Sequence, residues 1–236
     1  MGEAFGLLGF GPDGWGDELA AGAWLTIRLA LATLPFGLAV GLLAALARNS
    51  RRRWLRISGN FYTTIFRGLP ELLTLLLVYF GGQVVLSRIA SLVSDGQVEV
   101  SAFVAGLVAL GLVFSAYASE VFLGALRGIS RGQYEAAQAL GLRQSTVFRF
   151  VVLPQLIRLA LPGLANLWLV LLKDTSLVSV IALSDLLRET SVAVRATKEP
   201  FLFYLVACLI YLAMSTVSSV GIARIERWSE RGMRRS

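Results

Sequence analysis

Histidine is missing from this chain of 236 residues, and Cys208 is its only cysteine. Without imidazole, neither a zinc or haem site built on histidine nor a Ser-His-Asp triad can form. A single cysteine cannot make an intramolecular disulfide. These absences exclude several enzyme classes and predict no metal site and no cofactor in this chain.

Lysine is almost as scarce, since the sequence contains only Lys173 and Lys198. The phosphate-binding loop G-x-x-x-x-G-K-[ST] requires a lysine directly after a glycine, and neither lysine has one there. The sequence therefore predicts no ATP hydrolysis by this chain.

Long apolar runs make up most of the sequence. The hydrophobic content is 56% and the mean hydropathy is +0.70, well above the values of a soluble domain. At about 20 residues for each span, the length allows five or six helices and leaves no room for a soluble catalytic domain. We expect an all-α membrane protein with about five transmembrane helices, which the apolar runs place at 20–47, 61–85, 102–126, 150–172 and 201–225.

Shorter and more polar segments connect these spans. We interpret 49–60 as a short basic loop, 87–101 and 184–199 as exterior connections, and 173–183 as a re-entrant or partial helix. The chain then divides into an exterior tail at 1–19, a transmembrane domain at 20–228 and a cytoplasmic tail at 229–236.

The net charge of +7 is distributed unevenly along the chain. Arginines concentrate in the segments 48–56, 127–149 and 224–235, which the five spans place on one side of the bilayer. Only Arg88, Arg188, Arg195 and Lys198 lie clearly on the other side. By the positive-inside rule the arginine-rich side is cytoplasmic, so the N-terminus lies outside and the C-terminus inside. The same placement explains the basic charge without nucleic acid.

A polar, helix-prone insert at 130–149 interrupts the apolar pattern. Ser130 and Gln133 have the spacing of a capping box at a helix start, and Gly141 can close that helix in a left-handed conformation. A second short helix can follow from Leu142. We expect two short helices joined at Gly141, outside the hydrocarbon and facing a polar partner.

The insert resembles the EAA loop found in the membrane-spanning subunits of bacterial binding-protein-dependent ABC importers. Glu135-Ala136-Ala137, Gly141 and the closing Leu153-Pro154 carry this likeness. Further motifs are similar to the polar amino acid subfamily, including its histidine, lysine-arginine-ornithine and opine permeases. These motifs are Arg67-Gly68-Leu69-Pro70, Ser115-Ala116-Tyr117 with Glu120, Gly132-Gln133, Pro154-Gln155 and Lys173-Asp174-Thr175-Ser176-Leu177.

The resemblance implies a type I, MetI-like importer fold and a permease subunit of the bacterial inner membrane. It implies three kinds of partner: a homodimer of ATP-binding cassette ATPases that holds ATP and magnesium, a second permease subunit of the same or a similar kind, and an exterior solute-binding protein. The coupling residues that it implies are Gln133, Glu135, Ala136, Ala137, Gly141 and Pro154. Many members carry a serine two residues after the glycine; Arg143 stands there, so we expect Ser145 to cap the second helix.

Charged and hydroxyl residues within the spans are candidates for the substrate path or gate. Carboxylates in a membrane are costly and face protein or water. Glu71 either pairs with Arg67 or meets a cationic substrate, because an acidic residue there resembles the histidine and opine permeases. Glu120 pairs with Arg67 or with another span. The family resemblance places Lys173, Asp174, Thr175 and Ser176 near the gate, and a Lys-Asp turn is the alternative for the first two.

Together these features predict alternating-access import of a polar, cationic amino acid or an opine-like compound. A self-sufficient channel or secondary transporter is the alternative. No inverted repeat is visible, and such a protein has no evident use for the cytoplasmic insert.

Overall fold

The computed structural model describes residues 6–12, 14–91 and 100–230, and every regular element among them is helical. The first helix, α1, spans Gly16–Arg48, and α2 spans Arg53–Gly68. After a break, α3 spans Glu71–Leu76, a π-helical turn covers Leu77–Gly81 and α4 covers Gly82–Ser91. The long helix α5 spans Ala102–Gly128.

The second half begins with two short helices, α6 at Arg131–Ala139 and α7 at Gln144–Val147. A π-helical segment at Phe148–Val152 leads into α8, Leu153–Asp174, and a 3₁₀ helix at Thr175–Ile181 extends it. The chain then forms α9 at Leu186–Thr197 and α10 at Pro200–Glu230.

Five helical stretches in the described residues are long and apolar enough to cross a membrane. They are Gly16–Arg48, Glu71–Ile89, Ala102–Gly128, Gln144–Ile181 and Pro200–Arg227. The predicted number of spans is therefore confirmed.

The start of the second span was predicted wrongly. We expected a loop at 49–60 and a span at 61–85, but α2 occupies Arg53–Gly68 as a separate helix and the apolar span starts at Glu71. Leu69 and Pro70 are extended, and proline disfavours a helical conformation in the residue before it. The Gly68-Leu69-Pro70 sequence is thus a break between α2 and the apolar span that begins at Glu71.

Small residues let α1 and α5 pack closely. A Cβ atom on Gly37 would lie 2.4 Å from the Phe114 ring, and one on Gly111 would lie 2.4 Å from the Phe36 ring. The Phe114 ring of α5 thus packs against Gly37 of α1, and the Phe36 ring of α1 packs against Gly111 of α5. Close backbone approach at small residues is the usual way that helices associate in membranes.

Two apolar clusters form the interior of the described chain. The larger one joins α1, α5, the insert and α8, and contains Leu29, Phe114 and Leu156. The smaller one joins the beginning of α1 to α9 and α10 through Leu186 and Phe203. Most of α10 is exposed, as expected of a helix that faces lipid or a partner subunit.

Several terminal and connecting segments lie outside the described residues. The tails at 1–19 and 229–236 and the exterior turn at 87–101 fall wholly or partly there. The predicted domain boundaries stay predictions. The expected partial helix at 173–183 corresponds to the end of α8 and the 3₁₀ helix, which ends at Ala182 with a φ of 62°.

Candidate functional site

A narrow cleft lies where α3, α5 and α8 meet. Its volume is about 20 Å³, enough for a water molecule but not for an amino acid. Two carboxyl groups and a phenol line it among apolar side chains: Glu71 at the start of α3, Tyr117 on α5 and Asp174 at the end of α8.

Glu71 and Asp174 lie close enough for their carboxyl groups to interact electrostatically. Two neighbouring carboxylates repel each other, and a cation placed between them removes that repulsion. The cleft therefore has the charge arrangement of a site for a guanidinium, ammonium or imidazolium group.

Lys173 attracts the Asp174 carboxylate electrostatically. However, no ion pair joins the two within 4.0 Å in the described part of the chain, so the Lys-Asp turn that we considered as an alternative does not form here. Thr175 is buried and its hydroxyl donates to the Leu172 carbonyl at 2.8 Å. Ser176 is half-buried in the 3₁₀ helix.

Glu120 binds two arginines beside this cleft. Its Oε1 accepts a hydrogen bond from Arg48 at 2.9 Å and forms an ion pair with Arg67. The sequence offered Arg67 or another span as the partner of Glu120, and both pairings form, because Arg48 ends the first span. No ion pair joins Glu71 to Arg67 within 4.0 Å among the described residues, so that alternative is not formed.

Arg48 was missed in the sequence analysis. It ends α1, and it also donates to Asn60 on α2 at 3.0 Å and to Ser119 on α5 at 3.2 Å. One side chain therefore ties three helices together. Read from the sequence, Arg48 was only one of many arginines on the cytoplasmic side, and its partners are 12 and 71 residues away.

Tyr117 connects the carboxyl pair to the arginine cluster. It lines the cleft with Glu71 and Asp174, and the Arg67 guanidinium lies 5.7 Å from the centre of its ring, within the range of a cation–π contact. Its position three residues before Glu120 on one helical face was a signal available in the sequence.

The polar insert is built as two short helices, α6 and α7. Gly141 closes α6 with a φ of 69°. The Gly141 N–H donates to the Gln138 carbonyl at 2.9 Å and the Leu142 N–H donates to the Ala137 carbonyl at 3.2 Å. This pair of bonds is the Schellman motif, so the predicted closing role of Gly141 is confirmed.

The starts of both insert helices differ from the predictions. Ser130 makes no side-chain cap; its carbonyl accepts from the Gln133 N–H instead. The second helix starts at Gln144 with Arg143 in the capping position and has no side-chain cap, so Ser145 does not cap it. Backbone bonds and solvent satisfy these ends, because most of the insert is exposed.

The insert has an inner and an outer side. Ala137 is only 4% exposed and Tyr134 is half-buried against the core, whereas Gln133, Glu135 and Ala136 are exposed. Ala137 therefore packs against its own chain, and the surface available to a partner carries Glu135 and Ala136. Pro154 is exposed near the start of α8.

Comparison with known proteins gives a consistent family. Residues 37–234 match the family described as "Binding-protein-dependent transport system inner membrane component". The chain is 43% identical to the nopaline transport system permease protein NocQ of Agrobacterium fabrum, covering 97% of this chain and 98% of that protein. It is 36% identical to the histidine/lysine/arginine/ornithine transport system permease protein HisQ of Escherichia coli, covering 94% and 98%.

Solved structures agree with this family. The crystal structure of an amino acid ABC transporter with histidines superposes with a TM-score of 0.77 at 30% identity, covering 90% of this chain and 94% of that one. An inward-facing MetNI methionine ABC transporter superposes with a TM-score of 0.70 at 18% identity, covering 89% and 95%; it shows the same fold, so the predicted MetI-like fold is confirmed. The chain thus belongs to the family of binding-protein-dependent transport system inner membrane components, the permease subunits of ATP-driven importers, in which the ATPase is a separate chain.

Proposed function

We propose that this permease subunit carries a cationic amino acid or an opine-like derivative across the inner membrane by alternating access. The observation that carries the proposal is the meeting of Glu71 and Asp174 at one cleft between three helices. The names of HisQ and NocQ support the same class of solute.

The surroundings of the cleft suit a molecule with charges of both signs. The cationic side chain of the substrate lies between Glu71 and Asp174. Its carboxylate lies towards Arg67, because the arginine cluster holds two guanidinium groups for one carboxylate and retains an excess positive charge. Tyr117 separates the two regions and fixes their spacing.

The cleft must widen to admit such a molecule, and movement of the insert drives this widening. Glu135 and Ala136 dock in a groove of the ATPase, with Gln133 and Gly141 setting the geometry of the insert. ATP binding closes the ATPase pair and moves α6 and α7, and the movement passes through the π-helical segment Phe148–Val152 and Pro154 into α8. Asp174 lies at the other end of α8, so the same helix reaches the cleft.

The complete transporter contains two permeases, two ATPases that bind ATP and magnesium, and an exterior solute-binding protein. Lys173, Thr175 and Ser176 belong to the gate at the outer end of α8. A self-sufficient channel is disfavoured because the family works with a separate ATPase.

Neutralising Glu71 tests the substrate site. We expect Glu71→Gln to lower ATP-dependent uptake of arginine or histidine into proteoliposomes at least tenfold, because a hydrogen bond to a charged group contributes about 1.5–3 kcal/mol. Asp174→Asn should have the same effect. The amount of co-purifying ATPase should stay unchanged, which separates transport from assembly.

Glu18→Gln is the matched control, because Glu18 is an exposed glutamate in the first turn of α1, away from the cleft. It should transport normally. If Glu71→Gln and Asp174→Asn also transport arginine at the wild-type rate, the carboxyl pair does not bind the substrate and the proposal is wrong.

A further inference from the structure

One face of α8 is left uncovered by the rest of the described chain. From Arg158 onwards, the exposed residues of this helix are Arg158, Leu159, Pro162, Asn166 and Lys173. With 3.6 residues in each turn, all five lie within an arc of about 100° around the helix axis. We call this arc the α8 stripe.

The α8 stripe is polar at a depth where lipid is apolar. The span of α8 runs from Gln144 to Ile181, so Asn166 lies near its middle, within the hydrocarbon region. The side chains of Asn166 and Arg158 form no hydrogen bond or ion pair with the described part of the chain. Contact of such groups with lipid is costly, so this face meets water or another polar surface.

Pro162 adds a backbone acceptor to the α8 stripe. A proline inside a helix has no N–H group, so the carbonyl of Arg158 lacks the donor that residue 162 of a regular helix would supply. That carbonyl lies on the same face as Pro162. A carbonyl without its helical donor at membrane depth requires another donor, which water or a solute ammonium group can provide.

The α8 stripe adjoins the cleft. Val170, one turn after Asn166, lines the cleft together with Asp174. In the other direction, Arg158 lies eight residues (166 − 158) from Asn166, which is roughly 12 Å along the helix towards the insert. A route out of the cleft requires this continuity, whereas an interface with a second subunit does not.

We infer that the α8 stripe lines the aqueous path between the cleft and the cytoplasm, where Asn166 contacts the solute at mid-membrane and Arg158 attracts its carboxylate. The inference rests on the proposed function, because it takes the solute to be a cationic amino acid or an opine-like derivative. It assigns Asn166 and Arg158 to the path through the membrane, outside the cleft itself.

The charge of Arg158 determines how the solute leaves the cleft. No carboxylate lies within 4.0 Å of its guanidinium group in the described part of the chain, so this charge acts on the path. It attracts the carboxylate of an amino acid and repels the cationic side chain, and apolar walls strengthen both effects. The solute therefore leaves Glu71 and Asp174 with its carboxylate first.

Thiol accessibility tests the α8 stripe in the assembled transporter. Asn166→Cys is made in a Cys208→Ala background, purified with its co-purifying subunits and placed in lipid nanodiscs, where both sides are accessible. The anionic reagent methanethiosulfonate ethylsulfonate is added, and mass measurement follows its attachment to this chain. The reagent reacts with the thiolate, so it modifies cysteines that meet water.

Val217→Cys is the matched control. Val217 is an exposed apolar residue of α10, 17 residues (217 − 200) from the exterior end of its span, and Asn166 is 15 residues (181 − 166) from the exterior end of its own. We expect modification of Asn166→Cys at least tenfold faster than that of Val217→Cys, and at least threefold slower when saturating arginine is present. Pro162→Cys reports on the same stripe if Asn166→Cys lowers the yield of the complex.

The role of Arg158 is tested by the charge of the reagent. Adding Arg158→Gln to the Asn166→Cys chain should slow the anionic reagent and speed its cationic counterpart, methanethiosulfonate ethyltrimethylammonium, so that their rate ratio changes at least threefold. Arg53→Gln is the control, because it removes an exposed arginine from α2 and should leave the ratio unchanged. An unchanged ratio in Arg158→Gln would overturn the role of Arg158.

The outcomes separate this inference from the proposed function. If Asn166→Cys reacts no faster than Val217→Cys while Glu71→Gln still lowers arginine uptake, another surface covers the stripe and the inference is wrong, but the proposed function stands. If Asn166→Cys reacts rapidly while arginine does not slow it and Glu71→Gln transports normally, the stripe meets water and the proposed solute is wrong.

Discussion

The side chain of Asp185 is a carboxylate that is shielded from solvent. It is fully buried, and its two oxygens accept from the N–H groups of Leu187 and Arg188 at the start of α9. Gly22 of α1 makes room for this turn, since a Cβ there would lie 2.9 Å from Leu186. The carboxylate thus anchors α9 against α1 on the side that we predict to be exterior.

The pKa of Asp185 is raised to about 6 from 3.8, because burial penalises the charged form more than the two backbone N–H groups favour it. The folded protein therefore binds this proton more tightly than the unfolded chain does. The stabilisation is complete below about pH 4 and is lost as the pH rises through about 6, and a shift of about two units corresponds to about 3 kcal/mol.

We expect the melting temperature of the purified complex to fall between pH 5 and pH 7, and Asp185→Asn to remove that part of the fall. Asparagine caps a helix as well as aspartate does and carries no charge. Asp17→Asn serves as the control, because Asp17 is exposed and should leave the pH dependence as it is. An identical slope in wild type and Asp185→Asn would contradict the assignment.

For single residues, the sequence identified the candidate functional positions better than it identified the contacts between them. Glu71 and Glu120 stood out because carboxylates are rare in spans, and Asp174 was named through the family resemblance. Apart from the pairing of Glu120 with Arg67, their partners did not stand out, because Glu71 meets Asp174 across 103 positions of sequence (174 − 71) and Arg48 reaches Glu120 across 72. Such pairings follow from the packing of α1, α3, α5 and α8, which hydropathy alone does not specify.

Among the elements, the insert depends most on one backbone conformation. Gly141 has a φ of 69°, and a Cβ there would meet nothing within 4 Å. Any cost of a side chain at this position is therefore conformational, of roughly 1 kcal/mol for alanine. A side chain at position 141 would therefore favour a different backbone conformation there, and this would change the angle between α6 and α7.

Gly141→Ala should lower ATP-dependent uptake about fivefold, the factor that corresponds to roughly 1 kcal/mol, while the ATPase still co-purifies. Gly141→Asn should lose less, because asparagine tolerates the left-handed region. Gly124→Ala makes the same change in a helical position that is also open, and it should transport normally. Equal uptake by Gly141→Ala and Gly124→Ala would contradict a coupling role for Gly141.

Elements with a strong and continuous signal were predicted well. The first, third and fifth spans are single apolar helices, and their long runs determine them. The second was misplaced because α2, an arginine-rich helix, continues into polar and aromatic residues that read as the start of a span. The π-helical segments at Leu77–Gly81 and Phe148–Val152 have no sequence pattern that separates them from an α-helix.

For the whole molecule, the distribution of charge predicts the orientation in the membrane. Five candidate spans in the described part of the chain predict that the two termini lie on opposite sides. The arginines of 48–56 and 127–149 adjoin the insert, whereas the connection around α9 carries fewer cations. The positive-inside rule therefore predicts an exterior N-terminus and a cytoplasmic C-terminus, with the insert on the side of the ATPase.

Single cysteines measure this orientation directly, because Cys208 is the only one to remove. In a Cys208→Ala background, Ser101→Cys before α5 should react with a membrane-impermeant maleimide added to intact spheroplasts. Asn49→Cys after α1 should react only after the membrane is permeabilised. Both positions are exposed, so burial does not explain a difference between them. Labelling of Asn49→Cys alone in intact spheroplasts would invert the topology, place the insert outside and leave it unable to meet an ATPase that uses cytoplasmic ATP.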